Sequence, residues 1–394
     1  MKVLYIHQYF RTPEEGGAIR SYYLAKGMVE NGIEVEMITS HNKPFEEIKD
    51  IDGIKVHYLP VFYDNELGFS KRVFAFYRFM RLVMTKARSI HNVDLCYATS
   101  TPLTIGLSAL KIKKELGIPY YFEVRDLWPE APVQLGVIKN RFLKSYLEQL
   151  EKKVYKNAEK IIALSPGIKT QIESRQPNTS VEVIPNMSDV EFFTPETKNP
   201  ELEELFDVKN KMVVSYFGAI GAANHLEYLL AAANASLKAK LPIVFLIIGV
   251  GSQTEKLTYL VKHFDLTNVR FIKFQNKHNL KRLLNVTDAA YVSFANKPIL
   301  ETNSPNKFFD ALASGKLIIT NTKGWVKDIC EKDNCGFYYH PDKPQDFVKQ
   351  IKSFLSQKDQ LNKYQLNSRR VGETQFAKST QVEKLIALIS PRNS

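Results

Sequence analysis

The sequence predicts an α/β protein made of two doubly wound, Rossmann-like domains. The first observation is an apolar strand at 2–7, followed by a glycine-rich loop, a helix and a second strand at 33–39. The second is that the same order recurs at 212–217, where a strand leads into Gly218-Ala219-Ile220-Gly221 and a helix. The third is that short apolar strands alternate with amphipathic helices, which is typical of a parallel sheet covered on both faces.

The composition indicates a globular protein that favours anionic partners. A length of 394 residues suggests two or three domains, and 44% hydrophobic with 24% charged residues is ordinary for globular proteins. The net charge of +12 favours phosphates, anionic lipid or nucleic acid, but no nucleic-acid-binding signature is present. Three cysteines without metal-ligand spacing are typical of a reducing cytoplasm.

No secretory or membrane-spanning segment is predicted. Met1 and Lys2 lead directly into the first strand, and no apolar run reaches the roughly 20 residues that cross a bilayer. Residues 69–90 alternate apolar and basic side chains at helical spacing: Phe69, Val73, Phe76, Tyr77, Met80 and Met84 with Lys71, Arg72, Arg78, Arg81, Lys86 and Arg88. This pattern fits a helix packed on the sheet with a solvated basic face, and it fits equally a helix that contacts anionic lipid.

The segment 301–315 is predicted to be a loop followed by a helix. Ser304 is expected to cap this helix, Pro305 suits its first turn, and Gly315 ends it. Its apolar face is formed by Phe308, Phe309 and Leu312.

Such a helix offers groups that suit a nucleoside diphosphate. Its free N–H groups and the positive end of its dipole favour a phosphate, to which Lys307 adds a charge. A carboxylate, Asp310 or Glu301, can accept hydrogen bonds from ribose hydroxyls. The alternative is an ordinary capped helix with a solvated lysine.

The stretch Ser-Pro-Asn-Lys-Phe-Phe-Asp-Ala-Leu-Ala-Ser-Gly-Lys at 304–316 resembles the nucleotide-sugar signature of retaining glycosyltransferases of family 4. That family has the GT-B fold, in which two Rossmann-like domains face a central cleft and the C-terminal helix crosses back to the N-terminal domain. The resemblance implies that Asp310 holds the donor ribose and that Ser304, Pro305 and Asn306 line the donor. Family members often have a second acid eight positions upstream, whereas Glu301 lies nine positions before Asp310.

Other stretches extend the resemblance over nearly the whole chain. It implies further donor-binding residues in the glycine loops and at one strand end: Gly16, Gly17, Gly218, Gly221, Gly249, Gly251, Phe274 and Gln275. Residues 222–225 read Ala-Ala-Asn-His where many members have an arginine and a lysine. Backbone N–H groups and Lys307 are therefore expected to carry more of the phosphate binding.

A predicted strand ends in the charged stretch Glu-Val-Arg-Asp-Leu-Trp-Pro-Glu at 123–130, which resembles bacterial O-antigen and capsule glycosyltransferases. Ligands of open α/β sheets bind at the carboxyl ends of strands. The resemblance implies that Asp126 faces the acceptor, a sugar on a polyprenyl diphosphate. Family members often place a histidine near this strand end, so here the base would be Asp126 or Glu130. The alternative is a salt-bridged loop.

Together these features predict a cytoplasmic, retaining glycosyltransferase at the inner face of the cell membrane, using a UDP-sugar and contacting anionic lipid through 69–90. We expect an acceptor domain at 1–185 that is completed by about 375–394, a linker at 186–200 and a donor domain at 201–374. No cofactor or metal site is expected, because Asp50-Ile51-Asp52 is predicted to be a turn and GT-B enzymes generally need no metal. The alternatives are a sugar-nucleotide epimerase of the GT-B fold and a non-catalytic nucleotide-sugar-binding subunit.

Overall fold

The computed structural model describes residues 1–17, 19–64 and 67–390, without the side chain of Phe69. The chain divides into two compact units. The first contains residues 1–13, 19–185 and 381–390, and the second contains 14–17 and 186–380. Residues 391–394 of the predicted acceptor domain lie outside the described residues.

The first unit is an eight-stranded sheet with helices between its strands. Its elements are β1 (Lys2–Ile6), α1 (Arg20–Glu30), β2 (Glu34–His41), β3 (Glu47–Ile51), β4 (Ile54–Pro60), α2 (Phe69–Ala87), β5 (Leu95–Thr99), α3 (Thr104–Leu116), β6 (Tyr120–Val124), α4 (Glu130–Gln134), α5 (Arg141–Asn157), β7 (Lys160–Ala163), α6 (Pro166–Arg175) and β8 (Val181–Val183).

The strand order of this sheet is β3-β4-β2-β1-β5-β6-β7-β8, and every pairing is parallel except that of β3 with β4. The central strands β1 and β5 are almost entirely buried, as predicted for a sheet covered on both faces. The antiparallel β3–β4 hairpin contains the predicted turn, in which Gly53 N–H donates to Asp50 Oδ1 over 3.1 Å.

The second unit repeats the doubly wound plan with six parallel strands. Its elements are α7 (Pro200–Leu205), β9 (Met212–Phe217), α8 (Glu227–Lys238), β10 (Ile243–Ile248), α9 (Thr254–His263), β11 (Val269–Ile272), α10 (Lys277–Val286), β12 (Ala289–Val292), α11 (Asn306–Ala313), β13 (Leu317–Thr320), α12 (Trp325–Lys332), β14 (Gly336–Tyr338), α13 (Pro344–Ser356) and α14 (Lys358–Thr374). The strand order β11-β10-β9-β12-β13-β14 is that of a dinucleotide-binding Rossmann sheet, so the predicted fold class is confirmed.

The last helix, α15 (Lys378–Ile389), returns the chain to the first unit from residue 381 onward. Gly27 allows the close approach of α1 to this helix, since a Cβ at Gly27 would lie 2.3 Å from Val382 Cγ1. Near the end of the helix, Tyr121 Oη donates to the Leu388 carbonyl over 2.9 Å. The first unit is therefore built from two separate parts of the sequence.

A buried ion pair joins α1 to the centre of the first sheet. The Arg20 guanidinium donates to Glu123 Oε2 from Nε at 3.0 Å and from Nη2 at 2.9 Å, and both side chains are almost fully buried. The same guanidinium donates to the carbonyls of Ile184 and Pro185, where the chain leaves the first unit. Glu123 also accepts from Tyr97 Oη at 2.7 Å, so both charges are well satisfied.

Helix α2 forms where the sequence predicted it, but its buried face differs from the predicted stripe. Of the apolar side chains at helical spacing, Met84 is buried, whereas Val73 and Tyr77 are exposed. The face packed on the sheet is formed instead by Ala75, Phe79, Val83, Met84 and Ala87. The interleaving of apolar and basic residues left the rotation of the helix undetermined. No helix in the described part of the chain is long and apolar enough to cross a bilayer.

We expect Glu123→Ala to lower the free energy of unfolding of the first unit by about 3–5 kcal/mol, because it leaves a buried guanidinium unpaired. The matched control is Glu115→Ala, which breaks the exposed Arg88–Glu115 ion pair and should cost less than about 1 kcal/mol. Urea unfolding followed by circular dichroism measures both. Equal losses in the two variants would contradict a structural role for the buried pair.

Candidate functional site

Lys307 lies in the first turn of α11 and is surrounded by neutral groups. Its ammonium donates to Tyr216 Oη at 2.9 Å and to Asn224 Oδ1 at 3.0 Å, and it lies 4.2 Å from the centroid of the Tyr216 ring. No carboxylate of the described residues forms an ion pair with it. Burial lowers the pKa of Lys307 to about 7. A largely desolvated ammonium without an anionic partner is well suited to bind an anion.

The glycine loop after β9 lies against this lysine. A Cβ at Gly218 would lie 3.2 Å from Lys307 Cε, and Gly218 has a φ of 138°. The ammonium therefore lies beside this glycine loop. That it supplies the positive charge for a phosphate there stays a prediction.

Gly249 and Gly251 support the same loop from the end of β10. A Cβ at Gly249 would lie 1.9 Å from the Gly218 carbonyl oxygen, and one at Gly251 would lie 2.3 Å from the Ile220 carbonyl oxygen. Both glycines are thus required by backbone packing, whether or not they touch a ligand. Gly221 is less restricted, because its nearest neighbour would be Asn224 Nδ2 at 3.8 Å.

Asp310 lies one helical turn after Lys307 and is half-buried. Its carboxylate accepts no hydrogen bond from the described residues. The pKa of Asp310 is raised to about 7, mainly because the carboxylate is buried. The positive charge of the nearby Lys277 opposes this increase, and the negative charge of Asp189 adds to it. Lys277 is itself paired with Asp189. A carboxylate without a protein donor can accept hydrogen bonds from ligand hydroxyls.

Ser304 does not cap α11, so that prediction is wrong. The helix begins at Asn306, Pro305 occupies the cap position, and no side chain caps the helix. Ser304 is instead bonded to Asn186: its Oγ accepts from the Asn186 N–H at 3.2 Å, and its carbonyl accepts from the Asn186 amide at 2.6 Å. A partner 118 positions away in the sequence thus displaces the local cap.

The predicted apolar face of α11 is confirmed, since Phe308, Phe309 and Leu312 are fully buried. An aromatic cluster formed with Trp325 and Phe376 holds this face. The cluster fixes the helix whose other side presents Lys307 and Asp310. Glu301 lies in the 3-10 turn Pro298–Thr302, half-buried, and Asn306 is exposed at the start of the helix.

Of the remaining donor candidates, the structure brings Gly16 and Phe274 together and separates Gln275. Both Gly16 and Gly17 have positive φ values, 69° and 88°. A Cβ at Gly16 would lie 3.7 Å from Phe274 Cζ. Gln275 follows Phe274 but faces a different depression, which it lines with Leu205 and Arg282.

In the first unit, Asp126 and Glu130 follow β6 but have different surroundings. Glu130 accepts from Gln134 at 2.8 Å and pairs with Arg175 at 3.4 Å. Asp126 is exposed to solvent. Partial desolvation by the surrounding protein nevertheless raises the pKa of its carboxyl, and the positive charge of the neighbouring Arg125 only partly opposes this increase. The geometry therefore favours Asp126 over Glu130 as the carboxylate that meets a substrate.

His7 and Gln8 directly follow β1 and were not predicted from the sequence as candidate site residues. His7 is buried, and burial together with Arg125 lowers its pKa well below the ordinary value, so the ring is neutral. Its Nε2 lies 3.3 Å from Arg125 Nη1. Because a guanidinium only donates, Nε2 accepts and the ring proton lies on Nδ1, which has no partner among the described residues. The sequence feature that could have identified these two residues is a pair of polar side chains between the end of a strand and a glycine loop.

Comparisons with known proteins agree with this architecture. The model of Glycosyltransferase Family 4 matches residues 15–192, and that of Glycosyl transferases group 1 matches residues 198–371. Spore coat protein SA of Bacillus subtilis (strain 168) is 22% identical over 278 residues, covering 66% of this chain and 72% of that protein.

Three solved structures illustrate the similarity of fold. Sucrose-phosphate synthase of Thermosynechococcus elongatus has a TM-score of 0.80 at 15% identity and covers 98% of both chains. Anabaena HepE in complex with UDP-glucose has a TM-score of 0.73 at 16% identity over 99% of both chains. An E. coli structure described as trehalose-6-phosphate bound with UDP-2-fluoro glucose has a TM-score of 0.76 at 10% identity over the whole of both chains.

Proposed function

Because the chain belongs to the family-4 type of glycosyltransferases with the GT-B fold, we propose that it transfers a hexose from a UDP-sugar to a lipid-linked glycan. The acceptor would be a sugar carried on a polyprenyl diphosphate, as in bacterial O-antigen or capsule biosynthesis. The resemblance of residues 123–130 to such enzymes supports this acceptor. Uridine is favoured because two of the similar structures contain UDP-sugars.

One observation carries the donor assignment: two incompletely paired charges lie one turn apart on α11. Lys307 bonds only neutral groups, and Asp310 receives no hydrogen bond from the described residues. A diphosphate complements the first and ribose hydroxyls complement the second. Leaving both charges unpaired reduces the stability of the unliganded protein, which is expected of a binding site rather than of a structural ion pair.

The proposed reaction retains the configuration of the sugar and forms no enzyme-linked intermediate. The bond between the anomeric carbon and the β-phosphate oxygen breaks, and UDP departs. Lys307 and backbone N–H groups near Gly218 and the start of α11 stabilise the charge that develops on the diphosphate. The acceptor oxygen bonds to the anomeric carbon on the same face, and its proton passes to the leaving phosphate oxygen. Asp126 would hold the acceptor hydroxyl, and no step needs a metal ion.

We place this reaction at the cytoplasmic face of the cell membrane, where a polyprenyl diphosphate acceptor would be embedded. The net charge of +12 and the basic side chains of α2 support peripheral contact with anionic lipid.

Uridine diphosphate should bind the wild-type protein at about micromolar strength, near −8 kcal/mol. In Asp310→Ala the loss of a charged hydrogen-bond acceptor should weaken binding by about 1.5–3 kcal/mol. Calorimetry measures both values, and Asp342→Ala, which removes an exposed acid of the same unit, is the control. Equal affinities for all three proteins would contradict the assignment of Asp310 to the ribose. If the wild type did not bind uridine diphosphate, the proposal that the donor carries uridine would be wrong.

Binding of uridine diphosphate at pH 8 should draw about one proton from the buffer. Free Lys307 is mostly neutral at this pH because its pKa is about 7, and the bound diphosphate favours the ammonium. The affinity of the wild type should therefore decrease as the pH rises above 7. Calorimetry in two buffers of different ionisation enthalpy gives the proton count.

The control for this measurement is Lys307→Met, which has no proton to gain. Proton uptake that persists in this variant would show that another group titrates on binding and would contradict the assignment of Lys307.

Asp126→Ala should still bind uridine diphosphate but lose most of its transfer to a polyprenyl-diphosphate-linked sugar. The loss follows from removing the group proposed to hold the acceptor hydroxyl in place, since a misplacement of about 1 Å can cost about 10²-fold in rate. Release of uridine diphosphate from a panel of UDP-sugars measures turnover. An unchanged rate would contradict the role of Asp126, and an altered sugar formed without acceptor would indicate an epimerase.

A further inference from the structure

A run of apolar side chains is exposed where α5 begins. Phe142 is 89% exposed, more than any other large apolar side chain of the described residues. Tyr146, one turn later, is 59% exposed and Val137 is 54% exposed, and Leu135 and Leu143 are also exposed. Single exposed apolar residues are common, whereas five within twelve positions of the chain indicate an interaction site. We call residues 135–147 the α5 surface.

The charge of the α5 surface has one sign. It contains Lys139, Arg141 and Lys144 and no acidic residue, so its formal charge is +3. The first acid beyond it, Glu148, is 3.7 Å from Lys144 and leaves the other two cations without an ion pair among the described residues. Exposed aromatic side chains between uncompensated cations are typical of surfaces that rest on anionic lipid.

The α5 surface lies at the carboxyl edge of the first sheet. Helix α5 precedes β7, and α2 precedes β5, so both helices run opposite to the parallel strands and begin at that edge. Helix α2 packs against α3, and α3 packs against α5, which places the three in one layer. The start of α2 exposes Val73, Phe74 and Tyr77. Asp126 follows β6 at the same edge.

We propose that the α5 surface docks on a bilayer of anionic phospholipid. Phe142, Tyr146 and Val137 enter the boundary between headgroups and acyl chains, while Lys139 and Arg141 bind lipid phosphates. The start of α2 lies at the same edge of the sheet, on the other side of α3, and adds to this contact. The proposal rests on the proposed function, because it brings the edge that holds Asp126 to the level of the headgroups, where the diphosphate of a lipid-linked acceptor lies.

The positive charge of the α5 surface favours an anionic bilayer over a second copy of the chain as its binding partner. Two identical surfaces of charge +3 would repel each other when brought together, whereas anionic lipid neutralises both at once. The bilayer also accommodates an exposed apolar side chain without a complementary pocket.

Vesicle sedimentation tests the proposal. The wild-type protein should sediment with vesicles of phosphatidylcholine mixed with phosphatidylglycerol, remain in solution with phosphatidylcholine alone, and be released by salt. Phe142→Ser with Tyr146→Ser should weaken binding roughly tenfold or more. The matched control is Tyr259→Ser with Phe264→Ser, which removes two exposed aromatics from α9 and the residue that follows it and should bind as wild type.

The charge contribution is tested on the same helix. Lys139→Gln with Arg141→Gln should weaken binding roughly tenfold or more, whereas Lys152→Gln with Lys153→Gln, exposed cations near the other end of α5, should have a much smaller effect. Equal losses from both pairs would show attraction by net charge alone and would overturn the α5 surface as the docking site.

Two further readouts separate this proposal from the proposed function. The Phe142→Ser/Tyr146→Ser variant should bind uridine diphosphate as wild type does, and it should lose transfer to a vesicle-embedded acceptor but not to a short-chain, water-soluble one. Wild type that binds uridine diphosphate but no vesicles would overturn only the docking proposal. A wild-type dimer in light scattering that Phe142→Ser converts to monomer, without vesicle binding, would assign the surface to self-association and overturn lipid docking.

Discussion

The buried Arg20–Glu123 ion pair is the interaction on which the first unit depends. It connects the start of α1, which follows the Gly16–Gly17 loop, to β6, which leads into Arg125 and Asp126. It also fixes the carbonyls of Ile184 and Pro185, where the chain passes to the second unit. One guanidinium thus holds together the start of α1, β6 and the end of the main part of the first unit. Because both charges are desolvated, the arrangement tolerates little displacement.

The second unit uses charge in the opposite way. Its structural carboxylate, Asp288, is paired with Lys198 and accepts from the Val213 N–H, so its charge is compensated inside the protein. Lys307 and Asp310 lack such partners and have pKa values displaced toward neutrality. Charged groups without an ionic partner in the protein are expected at binding sites more than in the supporting structure, and Lys307 and Asp310 lie only one helical turn apart.

The sequence predicted the elements well wherever the determining interactions were local. The two β–loop–α openings, the hairpin turn at Asp50–Gly53 and the buried face of α11 follow from hydrophobic periodicity and turn chemistry. The predictions failed where residues far away in the sequence determine the local structure. Ser304 bonds to Asn186 instead of capping α11, and the rotation of α2 depends on the sheet beneath it. His7 was not predicted as a site residue, because its protonation and hydrogen bonding depend on Arg125, which is close in space but distant in the sequence.

The return of α15 to the first unit has a consequence for biosynthesis. Chains emerge from the ribosome amino end first, and domains generally fold as units in that order. Here the first unit lacks the helix that packs at Gly27 until residues 381–390 have been translated, whereas residues 186–380 are synthesised before then. The first unit is therefore completed after the second, and a nascent chain stalled between residues 380 and 390 would hold a whole second unit attached to an incomplete first one.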